Sequence, residues 1–444
     1  MFHKPLFILT HEFGDISFYH IYNTLVKNQW NNYNELKKDQ EKQLKQIIYF
    51  CYNNVPFYRN LFKNVGLLPS DIQTHTDLEK LPLLTKDIIK KNWEDLKPVN
   101  LSSIKYYNRA TGGSTGTPFQ YRLAKHDRFL GGAILYRGWS YGGYKLGDRM
   151  LFLGGSSLDY GKKNSLYAKI NEITRNIRKL SSFDMEEPSL RKYVDVINSY
   201  NPRFIRGYAT SIFFFSRWLE ENNLSIPAPH AIFTTAEKLF PQMRKKIEEV
   251  FDCDVFDTYG LNDGGISAFE CQEHSGLHID TERSIMEVTD ESGMTIEHGK
   301  GQIIATSLHN YAMPFIRYVT GDEGFLSDDH CPCQREYPLL KEIIGRQQEI
   351  LITPEGKRIH GEFFTHIFWG IPHVREFQVV QKDQSHLQIN IVPEPGFDER
   401  NIDSIRSVIK ARCNSWDIQF NFVDTITRTR AGKYKFVINE VPDV

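Results

Sequence analysis

Between Met150 and Gly260 short apolar runs alternate with amphipathic segments, and this alternation confines the chain to a small set of folds. Met150-Leu-Phe-Leu153 reads as a short buried strand. Residues 188–200 form a helix with Leu190, Tyr193, Val194 and Ile197 on one side. Phe204-Ile205 enters another strand, residues 211–221 are a helix, and residues 231–234 a strand. Residues 241–251 are helical, and residues 255–259 make a strand that ends at Gly260. Such a succession predicts an α/β domain. After about Gly345 the pattern changes: Phe377-Gln-Val379 and Leu387-Gln-Ile-Asn-Ile391 alternate apolar and polar residues, as half-buried antiparallel strands do. A helix over residues 401–411, with Ile402, Ile405, Val408 and Ile409 on one face, and a strand at Ile418-Gln-Phe-Asn-Phe422 complete an α+β module of about 100 residues.

The first hundred residues read as helices joined by turns, with Leu36, Leu44, Ile47 and Ile48 at helical spacing and Pro56, Pro69, Pro82 and Pro98 as breaks. At 444 residues and 40% hydrophobic content the chain can bury a sizeable core. With 54 basic and 55 acidic residues it lacks the cation excess of a general nucleic-acid binder. No apolar run is long enough to span a bilayer, and only four apolar residues in a row occur near the start. The six cysteines do not make a disulfide framework. These features predict a cytoplasmic protein, with the oligomeric state open and a homodimer among the options.

The densest glycine and hydroxyl stretch is Thr111, Gly112, Gly113, Ser114, Thr115, Gly116, Thr117 and Pro118. Glycines let a backbone approach a ligand, and the hydroxyls can donate to phosphate oxygens, although an exposed turn has the same composition. Asp257-Thr-Tyr-Gly-Leu-Asn-Asp263 is a strand end running into a turn, a place where a carboxylate can hold Mg²⁺. Asp322 in Phe315-Ile-Arg-Tyr-Val-Thr-Gly-Asp322 can accept both hydroxyls of a ribose. Gly345-Arg346 stands at the pattern break, and Thr429-Arg-Ala-Gly-Lys433 puts a lysine on a glycine turn. Each signal is weak alone.

Taken in this order the set resembles the adenylate-forming (AMP-binding) superfamily, and within it the phenylacetate–CoA ligase family. Phe233-Thr-Thr-Ala-Glu237, Phe269-Glu-Cys271 and Gly276-Leu-His278 match that family. Cys331-Pro-Cys333 and the end Gly432-Lys-Tyr-Lys-Phe-Val-Ile438 point to its CapK-like, capsule-biosynthesis branch. The resemblance implies a large multi-layer α/β N-terminal domain over residues 1–345 and a small mobile α+β C-terminal domain over residues 346–444. It implies activation of a carboxylate with ATP and Mg²⁺. Thr111 to Thr117 would close over the β,γ-phosphates, Ala236, Glu237, Tyr259 and Gly260 would frame the adenine, and Asp322 would hold the ribose with Arg346 beside it. Asp263 would hold Mg²⁺, and Lys433 would reach the carboxylate and α-phosphate as acyl-adenylate forms. Arg109, Tyr208 and His360 would face the substrate. Two positions depart from the family pattern: Asp263 replaces the usual Glu, and Gln348 replaces the usual acidic residue after the hinge Arg.

Cys271, His274, Cys331 and Cys333 supply three thiols and an imidazole, enough for structural zinc, with His278 a rival for the fourth position. The acceptor stays open between an amine and coenzyme A, and the acid between a sugar acid and an aromatic acid. Arg122, Arg128 and Arg137, set among Tyr136, Trp139, Tyr141 and Tyr144, favour a sugar acid, and with it amide formation on a uronic acid in surface polysaccharide. A non-catalytic relative that keeps only the fold is the competing class, against which Lys433, the loop and Asp322 all speak.

Overall fold

Near-continuous apolar runs suit strands that are covered on both faces, and here they build a parallel sheet. The computed structural model describes residues 3–110, 119–154, 166–182, 185–346, 350–369, 371–429 and 434–441. Five strands lie in the order Ile177–Leu180, Met150–Leu153, Phe204–Tyr208, Ala231–Thr235, Asp254–Phe256, all parallel. Helices Glu187–Tyr200, Ala209–Glu221 and Pro241–Phe251 alternate with these strands. The first and last carry Pro in the opening turn and stop at residues in the left-handed region, Asn201 (φ 46°) and Asp252 (φ 51°). Proline pre-sets the helical φ where its missing N–H costs nothing, and Asn and Asp tolerate the left-handed cap better than most side chains.

The strand expected over residues 255–259 is two strands in two sheets. Asp254–Phe256 closes the parallel sheet, whereas Thr258–Gly260 opens a seven-stranded one. Its order is Ser284–Thr289, Gly299–Ser307, Tyr318–Ser327, Leu339–Arg346, Leu277–Ile279, Ser267–Glu270, Thr258–Gly260. Asp257 makes the crossing: its N–H donates to Glu270 Oε2 (2.7 Å), and its Oδ1 accepts from the Thr234 hydroxyl (2.6 Å) and the Thr258 N–H (2.9 Å). These bonds replace the ladder that a straight strand would have continued.

Helix Lys125–Ser140 lies between the two sheets. A Cβ on Gly138 would meet the Phe269 ring at 2.2 Å on the antiparallel side, while Trp139 stacks on Phe233 of the parallel sheet (5.8 Å). Two buried ion pairs tie the helix down. Arg137 meets Asp280 (2.7 Å) and Glu282 (3.0 Å), and Asp127 takes a bidentate bond from Arg283 (2.9 and 3.0 Å). Towards the N-terminus, helix Tyr33–Asn54 begins at an Asn32–Glu35 capping box and buries Leu36, Leu44, Ile47 and Ile48.

The chain divides into two compact units, Met1–Ile344 and Gly345–Val444. The large one carries the α/β layers. The small one is α+β: strands Val374–Gln381 and His386–Pro393 pair antiparallel, with Asp417–Phe422 and Val437–Asn439 added in parallel at the edges. Helix Glu399–Arg412 buries Ile405 and Ile409, but Val408, expected on the same face, is 46% exposed.

The Arg283–Asp127 pair gives a stability test. Both side chains are almost wholly buried, at 3% and 1% exposure. Arg283→Ala leaves an uncompensated carboxylate and is expected to cost about 3–5 kcal/mol. Adding Asp127→Ala removes that charge, so the double variant should unfold in urea at a higher concentration than additivity predicts.

Candidate functional site

The carboxyl edge of a parallel sheet is where helices and loops leave room for a ligand. Here that edge is continuous with the crossing at Asp257. Burial pushes the Asp257 carboxyl up to about 6, against the opposing pull of the Thr234 hydroxyl. The next strand presents Tyr259, whose hydroxyl donates to Asp322 Oδ2 at 2.9 Å. Asp322 is 6% exposed, and its own N–H donates to the Thr320 hydroxyl (3.1 Å). Tyr318, on the same strand as Asp322, donates to Asp263 Oδ2 at 2.8 Å. Asp263 is 4% exposed, and its Oδ1 is shielded without a hydrogen-bond partner. Burial raises the Asp263 pKa, and the Tyr318 hydroxyl and the charge of Lys86 hold the rise back.

Two tyrosines thus position two carboxylates that lie far apart in sequence. Lys86, with its ammonium 6.0 Å from the centre of the Phe119 ring, was not singled out from the sequence. Nothing in its local motif marks it, since its link to Asp263 exists only in three dimensions.

The parallel sheet contributes from the other side. Tyr208 ends the Phe204–Tyr208 strand and is buried. Ala236 follows the Ala231–Thr235 strand in the left-handed region (φ 68°), a conformation costing on the order of 1 kcal/mol for a residue with a Cβ. Glu237 turns back to accept from the N–H (3.0 Å) and hydroxyl (2.5 Å) of Thr210, at the start of the following helix. Gly260 ends its strand. Arg109 sits half-buried with its guanidinium 5.3 Å from the Tyr107 ring. Thr111, Gly112, Gly113, Ser114, Thr115, Gly116, Thr117, Gln348 and Lys433 lie outside the described residues. Arg346 and His360 are each the last residue of a strand, and only their backbone is described.

Of the arginines expected to line a pocket, one is committed to the scaffold. Arg137 is neutralised by Asp280 and Glu282, Arg122 lies on the Trp93 ring at 4.3 Å, and Arg128 on the Tyr107 ring at 4.7 Å. Sequence proximity to aromatics cannot distinguish a pocket from a packed interior.

A second constellation stands apart from this edge. Cys271, His278, Cys331 and Cys333 bring their ligand atoms within 4.8 Å of one another. The fourth member is His278, which replaces the expected His274. Strand Leu277–Ile279 pairs with Ser267–Glu270, and that pairing carries His278 to the thiols: its Nε2 is 3.4 Å from Cys271 Sγ and 3.3 Å from Cys333 Sγ. His274 sits in the intervening turn and faces Glu270 instead (Nδ1 to Oε1, 3.2 Å). Burial lowers the His278 pKa to about 4, so the imidazole is neutral and can act as a ligand. The Cys271–Cys331 Sγ separation of 3.6 Å is close to the ~3.8 Å edge of a tetrahedron with 2.3 Å metal–sulfur bonds. The donor set therefore fits a zinc-type ion.

A 2-hydroxyisobutyryl-CoA ligase in the postadenylation state, in complex with 2-HIB-AMP, matches with a TM-score of 0.74 at 19% identity, over 93% of this chain and 92% of that one. At that identity the likeness is one of fold. Residues 351–440 match the family model of the CapK C-terminal domain. Protein CapK of Staphylococcus aureus is 27% identical over 92% of this chain and 90% of its own length. A phenylacetate-coenzyme A ligase of Thermus thermophilus is 26% identical over 82% of this chain and 83% of its own. Over most of its length the chain is thus similar to the CapK and phenylacetate-coenzyme A ligase relatives, and it shares the fold of adenylate-forming enzymes.

For this chain the Tyr318–Asp263 bond makes a direct test. Tyr318→Phe takes the hydroxyl donor from a buried carboxylate and should destabilise the protein by about 1–3 kcal/mol at neutral pH. Asp263 has a raised pKa, so lowering the pH through that value protonates it and the deficit should shrink. Chemical denaturation of both forms at several pH values measures the difference, and a pH-independent deficit would speak against the assignment.

Proposed function

We propose that this protein is an ATP-dependent, AMP-forming carboxylate ligase, which activates a carboxylate as acyl-AMP with release of pyrophosphate and passes the acyl group to a nucleophile. The observation that carries this reading is the paired arrangement Tyr259–Asp322 and Tyr318–Asp263 at one sheet edge. Asp322 suits a ribose, Tyr259 with Ala236 and Gly260 an adenine, and the unpartnered Oδ1 of Asp263 a Mg²⁺ ion. That ion would neutralise phosphate charge. The segment Thr111 to Thr117 fits a phosphate-closing loop by composition, and Arg346 a hinge residue beside the ribose. Lys433 would stabilise charge on the phosphoryl oxygens as the acid attacks. Arg109, Tyr208 and His360 are proposed to face the acid or its acceptor.

The acceptor we favour is an amine, with the acyl group joined in an amide on a uronic-acid sugar of surface polysaccharide. The match of residues 351–440 to the CapK C-terminal domain and the coverage of the CapK relative support that choice. The second reading is a coenzyme A thioester, favoured by relatives named as phenylacetate-coenzyme A ligases. Pyrophosphate release with a uronic acid and an amine, against phenylacetate and coenzyme A, separates the two.

Lys433 supplies the decisive variant. Its charge is needed while the adenylate forms and not afterwards, so Lys433→Ala should slow pyrophosphate release by about 10²–10³-fold. The same variant should still consume acyl-adenylate supplied ready-made, and wild-type adenylation by it would remove Lys433 from the site.

For the cysteine cluster we propose structural zinc, which would crosslink the loops through Cys271, His278, Cys331 and Cys333. Purified protein should carry about one equivalent of zinc. His278→Ala should lose it and His274→Ala retain it, as read by metal analysis and by alkylation of Cys331 and Cys333.

A further inference from the structure

Several buried or half-buried guanidinium groups in this protein come with carboxylates: Arg137 with Asp280 and Glu282, Arg283 with Asp127, Arg317 with Glu287, and Arg244 with Glu270. Arg206 does not. It is the third residue of the Phe204–Tyr208 strand, with Phe152 and Phe233 as its partners on the adjacent strands. Its guanidinium carbon lies 5.1 Å from the Trp139 ring and 5.3 Å from the Phe152 ring. Its Nε is shielded from solvent and lacks a hydrogen-bond partner, and no carboxylate forms an ion pair with it among the described residues. Burial pulls its pKa down to about 10, with only the Tyr136 and Tyr208 hydroxyls opposing. Arg122 also lacks a carboxylate partner, but it lies on Trp93 and belongs to the hairpin strand Gln120–Ala124, away from the parallel sheet.

A half-buried cation flanked by aromatic faces, with its Nε shielded and without a partner, is stabilised by an anion that meets it, and a guanidinium is shaped to take carboxylate or phosphate with two parallel bonds. Side chains alternate along a strand, so Arg206 shares a face with Tyr208 and lies about 7 Å further inside. The carboxylate that reacts has to sit at the nucleotide, near Tyr259 and Asp322, and cannot also lie this deep. We propose that Arg206 determines substrate specificity by binding a second, anionic group on the acid, so that the substrate carries two anionic groups: the reacting carboxylate and a further carboxylate or a phosphate. The proposal rests on the carboxylate-ligase reading above and narrows its substrate class.

The test uses matched pairs of acids that differ only in the second group: phenylacetate against its para-carboxylated form, and glucuronic acid against its anomeric phosphate. The first pair probes a carboxylate and the second a phosphate. Binding is measured by calorimetry without ATP, and kcat/KM by pyrophosphate release. The wild-type protein should favour the member with the second anionic group in at least one pair by about 100-fold, chiefly through KM. Arg206→Gln should bring that ratio close to one, and Arg206→Lys should restore part of it. Equal loss for both members of each pair would make Arg206 structural and overturn the proposal. A wild-type protein that discriminates in neither pair overturns it as well, and this arm stands even if Arg206→Gln fails to fold. Discrimination in calorimetry without any pyrophosphate release would retain the Arg206 site while refuting the ligase reading.

Discussion

The helix Lys125–Ser140 has almost no freedom to move, and the site depends on that. Gly138 admits the Phe269 ring from one sheet, and Trp139 lies against Phe233 of the other. Gly131 gives passage to the Arg283 guanidinium, which a Cβ there would meet at 2.7 Å. Interiors packed this closely transmit displacement rather than absorb it. The helix therefore sets the separation of the two sheets. Ion pairs at both of its ends fix the register. These pairs contribute little net stability once desolvation is counted, but a shifted helix would strand buried charges, so they penalise every alternative packing.

The site is then assembled by one residue that changes sheets. Because the chain crosses at Asp257, the parallel sheet, whose strands lead into Tyr208, Ala236 and Glu237, is joined directly to the antiparallel sheet that carries Tyr259 and Asp322. A carboxyl group that is buried and raised to about 6 is a costly device for a crossover. Its Oδ1 satisfies the Thr258 N–H and the Thr234 hydroxyl at the crossing, while the Asp257 N–H is met by the Glu270 carboxylate.

What was legible in the sequence follows the same physics. The helices of the parallel layer were readable because Pro188 and Pro241 mark their starts and apolar residues recur at helical spacing. The strand Gly299–Ser307 of the seven-stranded sheet was not, because its second half is buried on both faces; residues Ile303, Ile304, Ala305, Thr306 and Ser307 are all covered in succession. Alternation, the signal of a half-exposed strand, is then absent. The cysteine pairs could be found by spacing, but the choice between His278 and His274 depended on strand register, which local sequence does not carry. The site motifs were legible as motifs. Their partners were not: Tyr318 lies 55 residues from Asp263 and Tyr259 lies 63 from Asp322.

The distribution of unpaired charge separates scaffold from site. Glu270, Glu282, Glu287, Asp127 and Asp280 each have an arginine close by, as buried carboxylates of a scaffold should. Asp263 instead accepts from a tyrosine hydroxyl and has no ion pair among the described residues. A neutral donor fixes its position without cancelling its charge, which leaves it able to attract a cation. Its shorter side chain, where relatives are expected to have Glu, makes that anchoring matter more, since Asp has one less bond with which to find its ligand. Arg206 is the converse, a cation among aromatic rings with no ion pair among the described residues. Two unbalanced charges of opposite sign, kept apart on two sheets that a single rigid helix holds in place, are poor economy for a scaffold. They suit a ligand that brings a metal-bound polyphosphate to one end and an anion to the other.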